Sequence, residues 1–424
     1  MKKTSLYLPA LNSCFVTGIR DEYLKKRNRW LDHYVPNQFD VFKDDCVVFC
    51  KDCLLSAGHE PYKRVEVQYE QLKIRDKTKT MLMGDSGGYQ IATDKLKIDW
   101  NDKANVDEVR LGILRFLEHN TNIAATLDVP TFTIGHPEFK FNTFDQCLNQ
   151  TIENMEFWMK HRVPGKIRLL NVIQGRNDAE VDTWYDSVKD YTTEGWCFSS
   201  ANSDCLYHIF RTMIILARDN QLKTEKNWVH ILGRTMPAIS VLLTELQNRL
   251  SACVGNDYQI SYDSSSFVQA AITGSAMHYG LDSDLTLRIS KADLSFDVCK
   301  DKTLTLSEYL NSPSKLGEAV YLKDMYIWDD KKEKWYWDVP TYAQVMAYNY
   351  EISRLNMEIA HERYENDDIN GVLSYIKHTI FPDVFSQNTF DDMLVRLEKY
   401  KQYLLNNVIK YEEPAVINED LFDW

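Results

Sequence analysis

MLMGDSGGYQ (residues 81–90) sets a short apolar run against a carboxylate, and the carboxylate against a Ser-Gly-Gly turn. A run this short, bounded by a glycine turn, predicts a buried strand. The paired glycines let the backbone turn tightly and let a ligand approach the main chain. Asp85 then stands at the C-terminal end of the strand, where barrel enzymes place their chemistry. The same kind of segment recurs on both sides: CLLSA (53–57), IAATLDV (123–129), IRLLNVIQG (167–175), GWCFSSA (195–201), WVHILG (228–233) and YQISYD (258–263). Between most of them lie stretches with helical spacing. Val106, Val109, Ile113, Phe116 and Leu117 supply one apolar face, and Cys147, Leu148, Ile152, Met155, Trp158 and Met159 another. Strands alternating with helices imply a mainly parallel sheet. Seven candidate strands, with an eighth unlocated, favour an α/β fold of the (β/α)8 TIM-barrel type over an open sheet.

The alternation fades beyond about residue 290. YIWDDKKEKWYW (326–337) reads as two short aromatic strands around a charged turn, and 341–364 and 389–410 read as helices. The expected division is an N-terminal segment 1–45, a barrel 46–290, and a C-terminal α+β region 291–424 of insertions available to close the barrel. The charged turn beside Trp328, Trp335 and Trp337 invites stacking on a nucleic acid. Packing of those aromatics against the body is the favoured reading.

The 424 residues carry 49 Lys+Arg against 62 Asp+Glu, a formal net charge of −13. That balance argues against indiscriminate nucleic-acid binding while leaving room for a local basic groove. Two basic groups stand out, Lys25, Lys26, Arg27 and Arg29 in one, Lys73, Arg75, Lys77 and Lys79 in the other. No apolar stretch approaches the ~20 residues of a membrane helix. The first residues read as no signal peptide, although LNSC (11–14) faintly resembles a lipidation site. Nine cysteines are too sparse for a disulfide scaffold and fit a reducing cytoplasm.

Chemistry-bearing residues gather at the strand ends. Asp128 follows IAATL, Gln174 and Gly175 end the next strand, Ser199 and Ser200 the next, Gly233 the next, and Asp263 ends YQISYD. One carboxylate at a strand end is ordinary, because Asp starts loops and caps helices. Three plus a Gln on one rim read as a site. Two carboxylates can divide glycosyl chemistry, one attacking the anomeric carbon and the other managing protons.

At this point the chain resembles the tRNA-guanine transglycosylases and their DNA-acting relatives, the 7-deazaguanine DNA transglycosylases (DpdA type). The resemblance rests on DSGGYQ (85–90), LDVP (127–130), NVIQG (171–175), GWCFSSA (195–201), HILG (230–233) and YDSSS (262–266), in the family's order over residues about 50–270. It implies that Asp263 is the nucleophile of a covalent glycosyl-enzyme and Asp85 the general acid/base. It further implies that Tyr89 stacks on the base, that Asp128 and Gln174 hydrogen-bond it, and that Ser86, Gly175, Ser199, Ser200, His230, Leu232 and Gly233 line the pocket. For His230 a core histidine satisfied by its neighbours is the competing reading.

Two departures steer the resemblance. The tRNA enzymes carry a zinc site after the nucleophile strand, whereas only Cys299 follows Asp263 here. Serines also stand at 199–200 where those enzymes have a glycine pair. The expectation is therefore exchange of guanine in DNA for a base such as 7-cyano-7-deazaguanine, with tRNA as the alternative substrate and a non-catalytic nucleic-acid-binding homologue as a third reading. Lys25, Lys26, Arg27 and Arg29 are the candidate backbone contacts, and a helper protein that opens the duplex is a possible partner. No cofactor or metal is expected. The competing constellation is Cys46, Cys50 and Cys53, whose C-x3-C-x2-C spacing matches the iron–sulfur ligands of radical-SAM enzymes and would also suit zinc.

Overall fold

The computed structural model describes residues 3–12, 15, 41–59, 63, 65–66, 70–73, 75–92, 96, 98–199, 205–233, 236–281, 287 and 289–406. Ser200, the basic run Lys25, Lys26, Arg27 and Arg29, and the tail 412–424 lie outside the described residues.

Eight strands form one parallel sheet: β1 (Leu6–Pro9), β2 (Asp52–Ser56), β3 (Met81–Asp85), β4 (Ile123–Ala125), β5 (Arg168–Ile173), β6 (Gly195–Phe198), β7 (Trp228–Ile231) and β8 (Gln259–Ser264). Their order is β1-β8-β7-β6-β5-β4-β3-β2. The two ends of the sheet meet where Ala10 bridges Leu54 in parallel and the Leu11 N–H donates to the Leu54 carbonyl at 2.8 Å. This is the expected α/β barrel. Its eighth strand is LYLP near the N-terminus, so the barrel draws on the segment 1–45 as well as on 46–290. Pro9 is tolerated there because it ends the strand.

The helices that follow β3 around the barrel are α1 (Gly88–Ala92), α2 (Lys103–Asn120), α3 (Phe144–His161), α4 (Asp178–Val188), α5 (Leu206–Arg218), α6 (Pro237–Val254) and α7 (Ser266–Ile272). Local signals start them. Thr143 and Gln146 form a reciprocal capping box at α3, and Asp102 and Asn177 cap α2 and α4 through their side chains. After α7 the chain forms two hairpins, β9 (Ser275–Met277) with β10 (Lys291–Asp293) and β11 (Ile327–Asp329) with β12 (Lys334–Tyr336). It then enters α8 (Val339–Glu365) and, later, α9 (Phe390–Glu398). α8 packs on α6 and α7 and so completes the outer ring. Asn349 and Asn356, two turns apart on α8, tie that helix to the barrel's last segment. Their Oδ1 atoms accept from the Met277 and Gly280 N–H groups, each at 2.8 Å. In the second hairpin Trp337 is buried, whereas Trp328 and Trp335 stay half exposed with Phe296 stacked on Trp335 at 4.9 Å.

The barrel interior is plugged by Leu8, Leu54, Met83, Ile123, Ala125, Leu170, Val172 and Cys197. Strand side chains alternate faces, so two residues further along each strand the chain faces inward again, just above this plug. Asp85 follows Met83 by two, Gln174 follows Val172, Ser199 follows Cys197, and Asp263 follows Ser261. The fold thus collects at one end of the barrel the residues that the strand ends carried in the sequence. Among the described residues, no helix is long and apolar enough to cross a membrane.

Candidate active site

The GG pair after β3 is shaped by close approach. Gly87 has φ +83, and a Cβ on it would lie 2.7 Å from the Gly58 Cα and N. A Cβ on Gly88 would lie 2.8 Å from the Asp128 carbonyl oxygen and 3.2 Å from its Oδ1. Only glycines let the β3 turn lie against the segments following β2 and β4. This turn brings Asp85 and Asp128 together. Asp128 is buried, and that burial, followed by the charge of Asp85, raises its carboxyl from the ordinary 3.8 to about 7.

Gln174 braces the same corner. It is fully buried, its Nε2 donates to Asp128 Oδ2 and to the Val129 carbonyl (3.3 Å), and its Oε1 accepts from the Thr131 N–H at 2.8 Å. Ser86 is equally buried and its hydroxyl donates to the Thr126 carbonyl at 3.1 Å. Both side chains therefore hold the wall of the site. Tyr89, by contrast, is 50 % exposed and its ring lies 5.4 Å from that of Phe132, itself 41 % exposed. Phe139 meets Phe132 edge-on at 6.2 Å. These aromatics form an open lip beside the carboxylates.

Across the barrel, Asp263 Oδ1 lies 2.7 Å from the Gly233 N–H and 3.2 Å from His230 Nε2. His230 is fully buried, and its Nδ1 lies 2.8 Å from Ser261 Oγ; that hydroxyl oxygen accepts from Trp228 Nε1 at 2.8 Å. His230 and Ser261 are direct neighbours in the β7–β8 register. Leu232 packs against the plug, and Ser199 is half-buried with its N–H donated to the Ile173 carbonyl at 3.1 Å. Gly175, at φ +149, is buried where α4 begins.

The two flanks face one space. The Cys197 thiol in the barrel floor is pushed up by burial and then by Asp128, Asp85 and Asp263 together. Asp85 ends β3, Asp263 lies at the same end of β8, and Gly88 and Gln174 hold Asp128 on that rim. No protein-family model matches the chain, and no curated protein matches it.

Ser261 and Trp228 escaped the sequence reading. The available signal was polar alternation, Gln259-Ser261-Asp263 on one strand and Trp228-His230 on its neighbour, which is a barrel-inward face. Of the Cys46 constellation, Cys50 and Cys53 are neighbours in the apolar core, with Sγ atoms directed at the Asp52 and Met81 carbonyls, and Cys46 is half-buried. Among the described residues no group of three or more His, Cys, Asp or Glu side chains is arranged to hold a metal. The second basic group lies at the other end of the barrel from the carboxylates, since it leads into β3: Arg75 is buried and donates to the Thr80 and Asn120 carbonyls, and Lys77 donates to the His119 carbonyl at 3.1 Å.

Proposed function

We propose that the protein is a base-exchange transglycosylase that replaces guanine in DNA with a 7-deazaguanine base through a covalent intermediate on Asp263. The observation that carries this reading is the presence of Asp85, Asp128 and Asp263 at one end of the barrel, in two different environments. Asp263 receives two N–H donors on a single oxygen, an arrangement suited to a carboxylate that attacks carbon. Asp128, about half protonated at pH 7, can donate as well as accept, which suits it to reading the edge of a purine. Tyr89 supplies a face on which that purine can stack.

The proposed reaction balances within these groups. An oxygen of Asp263 bonds to the sugar's anomeric carbon as the bond to guanine breaks, and the electron pair leaves on the guanine ring nitrogen. Asp85 gives that nitrogen a proton. The incoming base loses its ring N–H proton to Asp85 and attacks the same carbon, and the electron pair of the broken ester returns to Asp263. Two inversions give net retention. One glycosidic bond replaces another, so the exchange itself requires no triphosphate. The target base has to leave its stack to reach a barrel mouth.

The test is incubation of the protein with radiolabelled guanine and either DNA or tRNA. Incorporation into DNA is expected. Incorporation into tRNA alone would shift the reading to a tRNA-guanine transglycosylase without the family's zinc ligands, and incorporation into neither would remove the reading.

A further inference from the structure

We infer that Trp228, Ser261 and His230 form a proton-ordered relay that pins one oxygen of Asp263 and helps the carboxylate leave the glycosyl intermediate. The inference rests on the exchange reading for its second half and on geometry alone for its first.

With a neutral imidazole the relay has one self-consistent arrangement of protons. Indole Nε1 only donates, so Ser261 Oγ spends a lone pair on Trp228. A carboxylate only accepts, so the hydrogen between His230 and Asp263 belongs to Nε2. A neutral imidazole with its hydrogen on Nε2 has a bare Nδ1. The proton left on Ser261 Oγ points at that Nδ1, 2.8 Å away. Every donor then meets an acceptor, and burial of both His230 and Ser261 removes water as a substitute partner.

The consequence falls on one oxygen of the nucleophile. Oδ1 takes both N–H donors, from His230 and from Gly233, and among the described residues no hydrogen bond reaches Oδ2. Oδ2 is therefore the attacking atom. When it is esterified, Oδ1 becomes an ester carbonyl and its two hydrogen bonds weaken. When the incoming base breaks the ester, charge returns to Oδ1 and those bonds strengthen again. Donors that favour the carboxylate over the ester speed departure. His230 acts through Asp263 and is a positioning residue.

The experiment uses the full-length protein, a guanine-containing DNA oligonucleotide and free guanine, with covalent adduct and base incorporation measured on the same denatured samples. His230→Leu is expected to raise the steady-state adduct fraction roughly 10-fold while turnover falls by a similar factor, the worth of a hydrogen bond to a charged group. His230→Gln, which keeps an N–H donor, is expected to restore most of the turnover. Adduct and turnover falling together in a folded His230→Leu protein would overturn the departure role. Nitrogen-15 spectra of histidine-labelled protein, with no substrate present, are expected to show His230 as the Nε2–H tautomer, and Ser261→Ala to lose that preference. A Nδ1–H tautomer in the unaltered protein would overturn the relay whatever the reaction. Absence of exchange and adduct in the unaltered protein would overturn the exchange reading and the departure role with it, leaving the tautomer to decide the pinning.

Discussion

The β7–β8 flank and the β3–β4–β5 flank of the barrel mouth each present a buried carboxylate, and they treat it in opposite ways. Asp263 is met by two N–H donors on one oxygen. Asp128 is met by burial and by a second carboxylate, and its carboxyl is driven to about 7. The difference lies in what each neighbouring strand offers. β7 supplies a histidine and a backbone N–H at its end, whereas β3 supplies Asp85 and a glycine pair that presses the turn onto Asp128. One fold thereby holds one carboxylate suited to accepting hydrogen bonds as an anion and another suited to donating as well as accepting them.

The largest effect is expected where the first environment loses its charge. Asp263→Asn keeps an oxygen to accept from His230 and Gly233, so the fold should survive with little change in thermal stability. Exchange should fall on the order of 10⁴-fold or more, as when a nucleophile is removed. An Asp263→Asn protein that exchanges guanine near the unaltered rate would end the distinction between the flanks.

The second environment is tested through stability against pH. Asp128 binds its proton more tightly folded than unfolded, so between pH ~3.8 and about 7 the folded state holds protons the unfolded state has lost. Stability attributable to this group is therefore present at low pH and falls as pH rises through that window. The full difference is on the order of 4 kcal/mol. Asp128→Asn, still able to accept from Gln174, should raise the melting temperature at pH 8 and leave it little changed near pH 4. Equal shifts at both pH values would show that Asp128 is not held in a charge-averse site.

Steric closeness comes next. Gly87→Ala would put a Cβ within 2.7 Å of the Gly58 backbone at φ +83. Destabilisation of ~1–3 kcal/mol is expected from the strain, with DSGGYQ displaced from Asp128. Denaturant unfolding measures the first. A return of the Asp128 pH dependence toward an ordinary carboxyl measures the second.

Much of this geometry was legible in the sequence, for identifiable reasons. Short apolar runs alternating with helical stretches marked seven strands, and the Asp and Gln at several of their ends marked the rim that carries Asp85, Asp128, Gln174 and Asp263. LYLP was not legible because four residues between a lysine pair and the polar Asn12-Ser13 carry too little pattern, and its strand character comes from pairing with β8 on one side and β2 on the other. The bracing role of Gln174 and Ser86 depends on which atoms are already engaged, which residue type does not disclose. The Ser261–His230 contact needed the register of two strands, and register is a tertiary fact.

The smallest effect concerns the open lip. Tyr89 and Phe132 are both exposed at ring contact, 5.4 Å apart and tilted by 36°, beside carboxylates that are otherwise enclosed. A stacked base would bury a face of Tyr89 and leave its hydroxyl out of the contact, so the ring and not the hydroxyl should matter. Tyr89→Phe is then expected to bind guanine within about 2-fold of the unaltered protein, and Tyr89→Leu to bind it more weakly by ~1 kcal/mol or a little more, about the worth of one base–aromatic stack. Calorimetric titration with guanine measures both. The unfolding free energy should barely move in either variant, because an exposed side chain holds little of the core. A Tyr89→Phe protein as weak as Tyr89→Leu would assign the contribution to the hydroxyl, and the lip would then read the base by hydrogen bonding, as the carboxylates beside it do.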